Sequence, residues 1–232
     1  MLRIFVVLLL SVVTSDVQAA LLVFSSTEYQ VGAHAAAGSN MDEHLDSSPP
    51  HPLPLSASAV VTAGVDNHAS ASGFADDGVL AASAESGSVG TDTVGFGGGS
   101  FLGTFNAGPG TLQLHFQFDT SSRVLGAGNA QADAKLTVTL ISNGETLYTE
   151  SFEAPNIVST TFELPESSAG SLNFVLFNLA SSSDASASDS SAAHFQLSLE
   201  PVPEPSIVAA MLIAIPLMLA LLPGFGSRLL GK

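Results

Sequence analysis

The chain has no cysteine, no tryptophan and only five lysines and arginines in 232 residues. Without cysteine there are no disulfides, no thiolate metal sites and no cysteine nucleophile. Without tryptophan, and with Tyr29 and Tyr148 as the two tyrosines, the rings on which sugar faces usually stack are scarce. The shortage of positive charge excludes more. The 21 acidic residues give the chain a formal net charge of −16. Between residues 20 and 200 only Arg123 and Lys135 oppose 19 acids, a net −17. Such a surface repels phosphate backbones, whose binding depends on neutralisation by Lys and Arg, so nucleic acid is excluded as a partner. It suits an exported, mutually repelling protein or one that gathers cations. A domain without covalent staples must bury apolar area, and about 180 residues is enough for one core.

Catalytic constellations are missing too. There is no HExxH, and Gly97-Gly98-Gly99-Ser100 is followed by no lysine, so it reads as a turn between strands rather than a phosphate loop. Gly87-Ser88-Val89-Gly90 resembles a nucleophile elbow, but Ser86 stands where the first glycine belongs. His115 and His194 fall on the polar faces of presumed strands, and none of the six histidines is assigned a catalytic role. A non-enzymatic protein is expected. The densest potential ligands are Asp42, Glu43, His44, Asp46 and His51, with Asp76 and Asp77 on a second turn. Their hard oxygens would suit calcium. The spacing of a calcium loop is absent, however, and a solvated loop is the preferred reading of the first set and an ordinary turn of the second. No cofactor is expected, calcium being the one ion these carboxylates fit.

What is present is period-two alternation. Leu112, Leu114, Phe116 and Phe118 face one way and Gln113, His115 and Gln117 the other. Ala130, Ala132, Ala134, Leu136, Val138 and Leu140 alternate with polar residues, and Asn143-Gly144 then supplies a tight hairpin turn. Glu145 to Phe152 should pair back. Further strands are expected around Val158 to Leu164, Leu172 to Leu179 and Phe195 to Leu199, punctuated by Pro155, Pro165 and Gly170. Most phenylalanines fall on the apolar faces and belong to the core. The fold expected is an all-β antiparallel sandwich over residues 56–200, jelly-roll-like in order. Residues 20–55 are expected to be irregular or weakly ordered. Four of the eight residues Ser47 to Pro54 are prolines and lack a ladder donor. Ala and Ser alternations at 56–63, 68–75 and 79–84 bury little apolar area, so they fit weak strands or coil. Ser181 to Ser191, all Ser, Asp and Ala, has the composition of a solvated loop or tether.

Both ends look membrane-directed. Arg3, the apolar run Ile4 to Leu10 and Val17-Gln18-Ala19 fit a signal peptide over residues 1–19, a substrate for signal peptidase. At the other end, Val202-Pro203-Glu204-Pro205-Ser206 (the 201–206 motif) precedes the uncharged run Ile207 to Leu222, and Arg228 and Lys232 follow. Sixteen residues make about 24 Å of helix, and continuing to Phe225 approaches the lower limit for spanning a bilayer. Residues 207–225 are therefore expected to form a single transmembrane helix, kinked at Pro216. Residues 226–232 are expected to form a basic cytoplasmic tail, which would leave the acidic domain outside.

This end resembles the PEP-CTERM sorting signal of Gram-negative bacteria that make extracellular polysaccharide, a resemblance confined to about residues 202–232. The resemblance implies that Pro203, Glu204 and Pro205 are recognised by exosortase, with Arg228 and Lys232 as the basic anchor. It also implies export through the inner membrane, anchoring by the C-terminal helix, processing, and delivery to the cell surface or biofilm matrix. The basic end departs from the family pattern, since Arg228 and Lys232 are separated by Leu229, Leu230 and Gly231. The function expected is that of an exported, surface- or matrix-associated, non-enzymatic protein. The alternative is a calcium-dependent, lectin-like module binding extracellular polysaccharide, and a secreted hydrolase comes third.

Overall fold

A computed structural model describes residues 21–201, which form twelve strands and no helix. The strands are β1 Leu22–Ala37, β2 Asn40–Ser48, β3 Leu55–Thr62, β4 His68–Asp76, β5 Val79–Gly87, β6 Thr93–Ala107, β7 Gly110–Leu125, β8 Asn129–Ser142, β9 Glu145–Phe152, β10 Asn156–Leu164, β11 Ser168–Ser183 and β12 Ser186–Pro201. They build two six-stranded sheets, in the orders β2-β1-β6-β11-β8-β9 and β10-β7-β12-β5-β4-β3. Neighbouring strands are antiparallel. Strands β5 to β12 make two facing quartets, β5-β12-β7-β10 and β6-β11-β8-β9. This is the nesting of a jelly roll, as expected. The β1–β2 hairpin extends one quartet beyond β6, and β3–β4 extends the other beyond β5. The expected signal peptide, the Pro-Glu-Pro motif, the apolar segment 207–225 and the expected basic tail 226–232 lie outside the described residues.

The alternating segments behave as their period dictates. Leu112, Leu114, Phe116 and Phe118 are fully buried, as are Leu136, Val138 and Leu140. Asn143 and Gly144 both have positive φ, at 49° and 80°, closing the β8–β9 hairpin. Aromatic packing consolidates this end. Phe174 stacks on Phe195 at 4.2 Å between ring centroids, and Phe116 meets Phe152 and Phe174 edge-on at 5.4 and 5.6 Å. Each such pair adds about 0.5–1.5 kcal/mol beyond the area it buries.

Three expectations are corrected. Residues 20–55 are not irregular: β1 pairs with β6 from Leu22 to Ala37 and with β2 from Tyr29 onward. The sandwich therefore begins at Leu22, not at residue 56. Gly97-Gly98-Gly99 is no turn but the middle of β6. Ser181 to Ser191 is no tether but the end of β11 and the start of β12, joined by a turn at Asp184 and Ala185. The Pro-rich segment from Pro49 to Pro54 does lie between strands, joining β2 to β3.

One cause runs through the Ala- and Gly-rich strands. Small side chains bury almost completely when two sheets approach closely enough, and here they do. A Cβ placed on Gly97 would lie 2.4 Å from the carbonyl oxygens of both Ser72 and Ser83 in the opposite sheet, and one on Gly95 would lie 2.4 Å from that of Ser70. On Gly73 it would lie 2.3 Å from the Gly98 carbonyl. Around these glycines sit Ala33 and Ala35 on β1 and Ala59, Ala69, Ala71, Ala82 and Ala84 on β3, β4 and β5, none more than 5% exposed. Backbone packed against backbone has dispersion contacts that neither alanine nor glycine could make across an ordinary gap of about 10 Å.

Gly97→Ala should therefore lower unfolding stability by about 3 kcal/mol, because backbone on both sides must move. Gly99→Ala, whose Cβ would meet its nearest atoms at 3.5 Å, should cost under about 1 kcal/mol. Urea unfolding of the two variants measures the difference, and equal losses would contradict the close approach.

Candidate functional site

Where the aromatic half meets the small-residue half, one mixed cleft opens. Its position follows from a bulge in β1. The β1–β6 register shifts between Phe24 and Ser26, leaving Ser25 without a partner, and Ser25 Oγ bonds instead to Thr104. Bulges re-aim neighbouring side chains. The Phe24 ring lands over Gly103, where a Cβ would lie 2.7 Å from it and 2.6 Å from the Phe101 ring. Gly103 thus makes room for both aromatics.

The cleft encloses about 340 Å³ between Phe24, Tyr29, Phe101 and Leu172 of one sheet and the β4–β5 turn and Phe195 to Leu197 of the other. Its floor is a run of rings: Tyr29 lies 4.8 Å from Phe101, which lies 4.9 Å from Phe195. Its rim is polar. The turn residue Asp77 accepts a long hydrogen bond from the Tyr29 hydroxyl at 3.5 Å, and the Gly78 amide donates to that hydroxyl at 3.3 Å. The turn is tied to β12 by Phe195 N–H donating to the Gly78 carbonyl at 2.9 Å. Burial pushes the Tyr29 phenol above its ordinary range, the neighbouring Asp77 charge adding to the rise against the Gly78 hydrogen bond. Tyr29 therefore stays a neutral donor at physiological pH. Thr27 and Gln196 add a hydroxyl and an amide, and no basic side chain lines the cleft. Rings below and an acceptor-rich rim suit a neutral ligand with one apolar face and several hydroxyls.

The sequence-derived metal candidates do not assemble. Asp42 and Asp46 point from β2 toward β3, while Glu43 lies on the opposite face by the strand's alternation. Asp42 Oδ2 accepts the Val60 amide of edge strand β3 at 3.1 Å. Asp46 is bonded to His51 and accepts the Ser47 amide, and the His51 contact is the main reason its carboxyl is held below the usual range. Asp76 accepts the amide of Asp77 at 2.8 Å, leaving Asp77 alone at the cleft. Among the described residues no three His, Asp or Glu side chains are grouped to hold a metal. His115 and His194 are exposed on outer strand faces, as expected. Pro203, Glu204, Pro205, Arg228 and Lys232 lie outside the described residues. Of the cleft's lining, sequence reasoning had singled out Asp77 and Tyr29 separately. They are 48 residues apart, and no local spacing connects them.

A second polar set centres on a buried carboxylate. Asp189, 3% exposed, accepts from Ser122 at 2.8 Å and Thr120 at 3.4 Å, and its Oδ2 has no partner. Burial raises its carboxyl above the ordinary range, outweighing the two hydroxyls. Beside it Ser191 donates to Asn178, whose Nδ2 is likewise unpaired. This band sits inside the sandwich, not in a cleft.

No family model matches the chain, and no curated protein matches it. Faint likenesses to solved structures include two. One is the secreted serine protease VesC from Vibrio cholerae, at 9% identity and a TM-score of 0.21, with 77% of this chain covering 48% of that one. The other is the GH31 alpha-xylosidase from Xanthomonas citri, at 8% identity and a TM-score of 0.19, with 77% of this chain covering 19% of that one. The chain thus spans less than half of either protein, and likenesses this faint carry no argument.

Asp189 makes a pH prediction. A buried carboxyl whose folded value is raised favours the protonated form, so its contribution to stability is fullest below the unfolded carboxylate range and is lost as pH rises through the folded value. Asp189→Asn should be about 1 kcal/mol more stable than the parent at pH 7, and the advantage should shrink toward pH 4. Thermal unfolding of both proteins across that range measures it. A variant less stable at pH 7 would show that the ionised form is the one the fold favours.

Proposed function

We propose that this chain is an exported, non-enzymatic protein of the cell surface or extracellular matrix. In this reading residues 207–225 hold it first in the inner membrane, and the Pro203-Glu204-Pro205 signal directs its processing by exosortase. The supporting observation is the order of features at the carboxyl end: a proline-framed turn, an apolar run without charge, then Arg228 and Lys232. A matching signal stands at residues 1–19, and the acidic sandwich between them repels its own kind and stays soluble outside the cell. Replacing Pro203, Glu204 and Pro205 together by alanine should leave an unprocessed, membrane-held form. Its mass and its distribution among membrane, surface and medium provide the measurement. Unchanged processing would contradict the sorting role.

A second reading concerns what the exported domain holds, and the cleft favours it. Phenylalanine rings beneath an acceptor rim of Asp77, Gln196 and Thr27 fit a neutral sugar ring, apolar face down. Because Asp42, Asp46 and Asp76 are bonded to neighbouring amides, the binding proposed here is independent of calcium. Titration calorimetry with neutral oligosaccharides of the matrix should give heat that is unaffected by added calcium. Asp77→Ala and Phe195→Ala should each weaken binding about tenfold, equivalent to about 1.4 kcal/mol, and Asp76→Ala should not. Heat that appears only with calcium, or none at all, would remove this reading.

A further inference from the structure

Each sheet of the sandwich ends in two edge strands, and three of the four edges are guarded. An unpaired edge offers a row of free N–H and C=O groups to another chain, and proteins blunt it with charge, bulges or caps. Edge strand β2 carries Asp42, Glu43 and Asp46. Edge strand β3 is uncharged but capped by β2 side chains across the sandwich: Asp42 takes the Val60 amide at 3.1 Å, and Asn40 Nδ2 donates to the Thr62 carbonyl at 3.2 Å. Edge strand β9 carries Glu145 and Glu150, and the ladder beside it is broken by a register shift at Leu140 and Ile141.

Edge strand β10 has no cap and no bulge, and its one charge, Glu163, lies next to its last residue and accepts from Thr111 of β7 at 3.1 Å. From Asn156 to Phe162 it reads Asn-Ile-Val-Ser-Thr-Thr-Phe, with no charge, no proline and no glycine. It is rich in the β-branched residues that favour pairing. Ile157 is 66% exposed. The ladder with β7 is regular over all nine residues and leaves the other side open.

We infer that β10 is a self-association edge, pairing antiparallel with β10 of a second copy of this chain. A two-fold axis makes the free ladder complementary to itself, so no separate partner surface is needed. Charge decides at which edge a second copy can meet this one. Two bodies of net −17 repel over most of their surface, and β10 is the open edge where they meet without opposing carboxylates. With Ser159 on the axis, Ile157 faces Thr161 and Val158 faces Thr160. In that register Glu163 falls opposite Pro155. Moving the axis to Val158 would set Glu153 against Glu163, which disfavours that register. The inference does not depend on the cleft or on the sorting signal.

The absence of cysteine gives a clean test. In the full chain produced in cells, Ser159→Cys should form a disulfide with its twin, because residues paired on the axis lie within disulfide reach. It should run on a gel as a dimer that reductant returns to monomer. Ser58→Cys on capped β3 and Thr149→Cys on β9 should remain monomeric. Adding Ile157→Lys and Thr161→Lys should reduce the Ser159→Cys dimer at least tenfold while thermal unfolding stays cooperative. High salt should strengthen dimer formation by screening the acidic bodies. Equal cross-linking at all three cysteines, cross-linking of Ser159→Cys only to other chains, or no dimer from it would each overturn the proposal.

Discussion

The close approach of the two sheets over their small-residue half is the constraint on which the rest depends. With Gly95 and Gly97 on one side and Ser70, Ser72 and Ser83 on the other, backbone meets backbone with no room for a Cβ. At that distance alanine is a sufficient core residue, and the inward alanines of β1, β3, β4 and β5 bury nearly as completely as leucine does elsewhere. Close packing of this kind yields many weak contacts that vanish with a small separation. Any added methylene forces the sheets apart.

The same constraint places the cleft. Along β6 the inward residues run from Gly95, Gly97 and Gly99 to Phe101 and Phe105, so side-chain volume rises sharply within a few residues. Rings that need space sit beside glycines that need none, and the bulge at Ser25 together with Gly103 absorbs the change. The space left over, under the short β4–β5 turn, is the aromatic cleft rimmed by Asp77. At the opposite end of the strands the narrow interior takes serine, threonine, asparagine and Asp189, which bond among themselves with a few groups left unpaired. A domain without staples thus carries a polar band in its core, and the aromatic half offsets its cost.

Much of the sandwich was legible because leucine and phenylalanine announce their faces. The alternation in β7, β8 and β12 and the Asn143-Gly144 turn follow from period and turn chemistry alone, whereas the strand order comes from pairings that no local period displays. The Ala, Ser and Gly segments were not legible. Transfer area per residue undervalues them, and their stability comes from a partner sheet that the local sequence does not display. Hence β1 and β2 were expected to be irregular, Gly97 to Gly99 a turn, and Ser181 to Ser191 a tether. The carboxylates of β2 looked like ligands because they were close in sequence. Strand alternation separated them, and Asp42 became a cap for the β3 edge. The cleft was out of reach of sequence, since Phe24, Asp77 and Phe195 come from distant strands.

A domain stabilised this way must hold its alanine half as firmly as its phenylalanine half. Native-state hydrogen exchange on the full chain tests this most directly. The account predicts that amides of β4 and β5 such as Ala71 and Ala82 exchange as slowly as Leu114 and Val138, opening only with the whole domain. Exchange of residues 22–87 at near-unfolded rates, with residues 93–200 still protected, would contradict it.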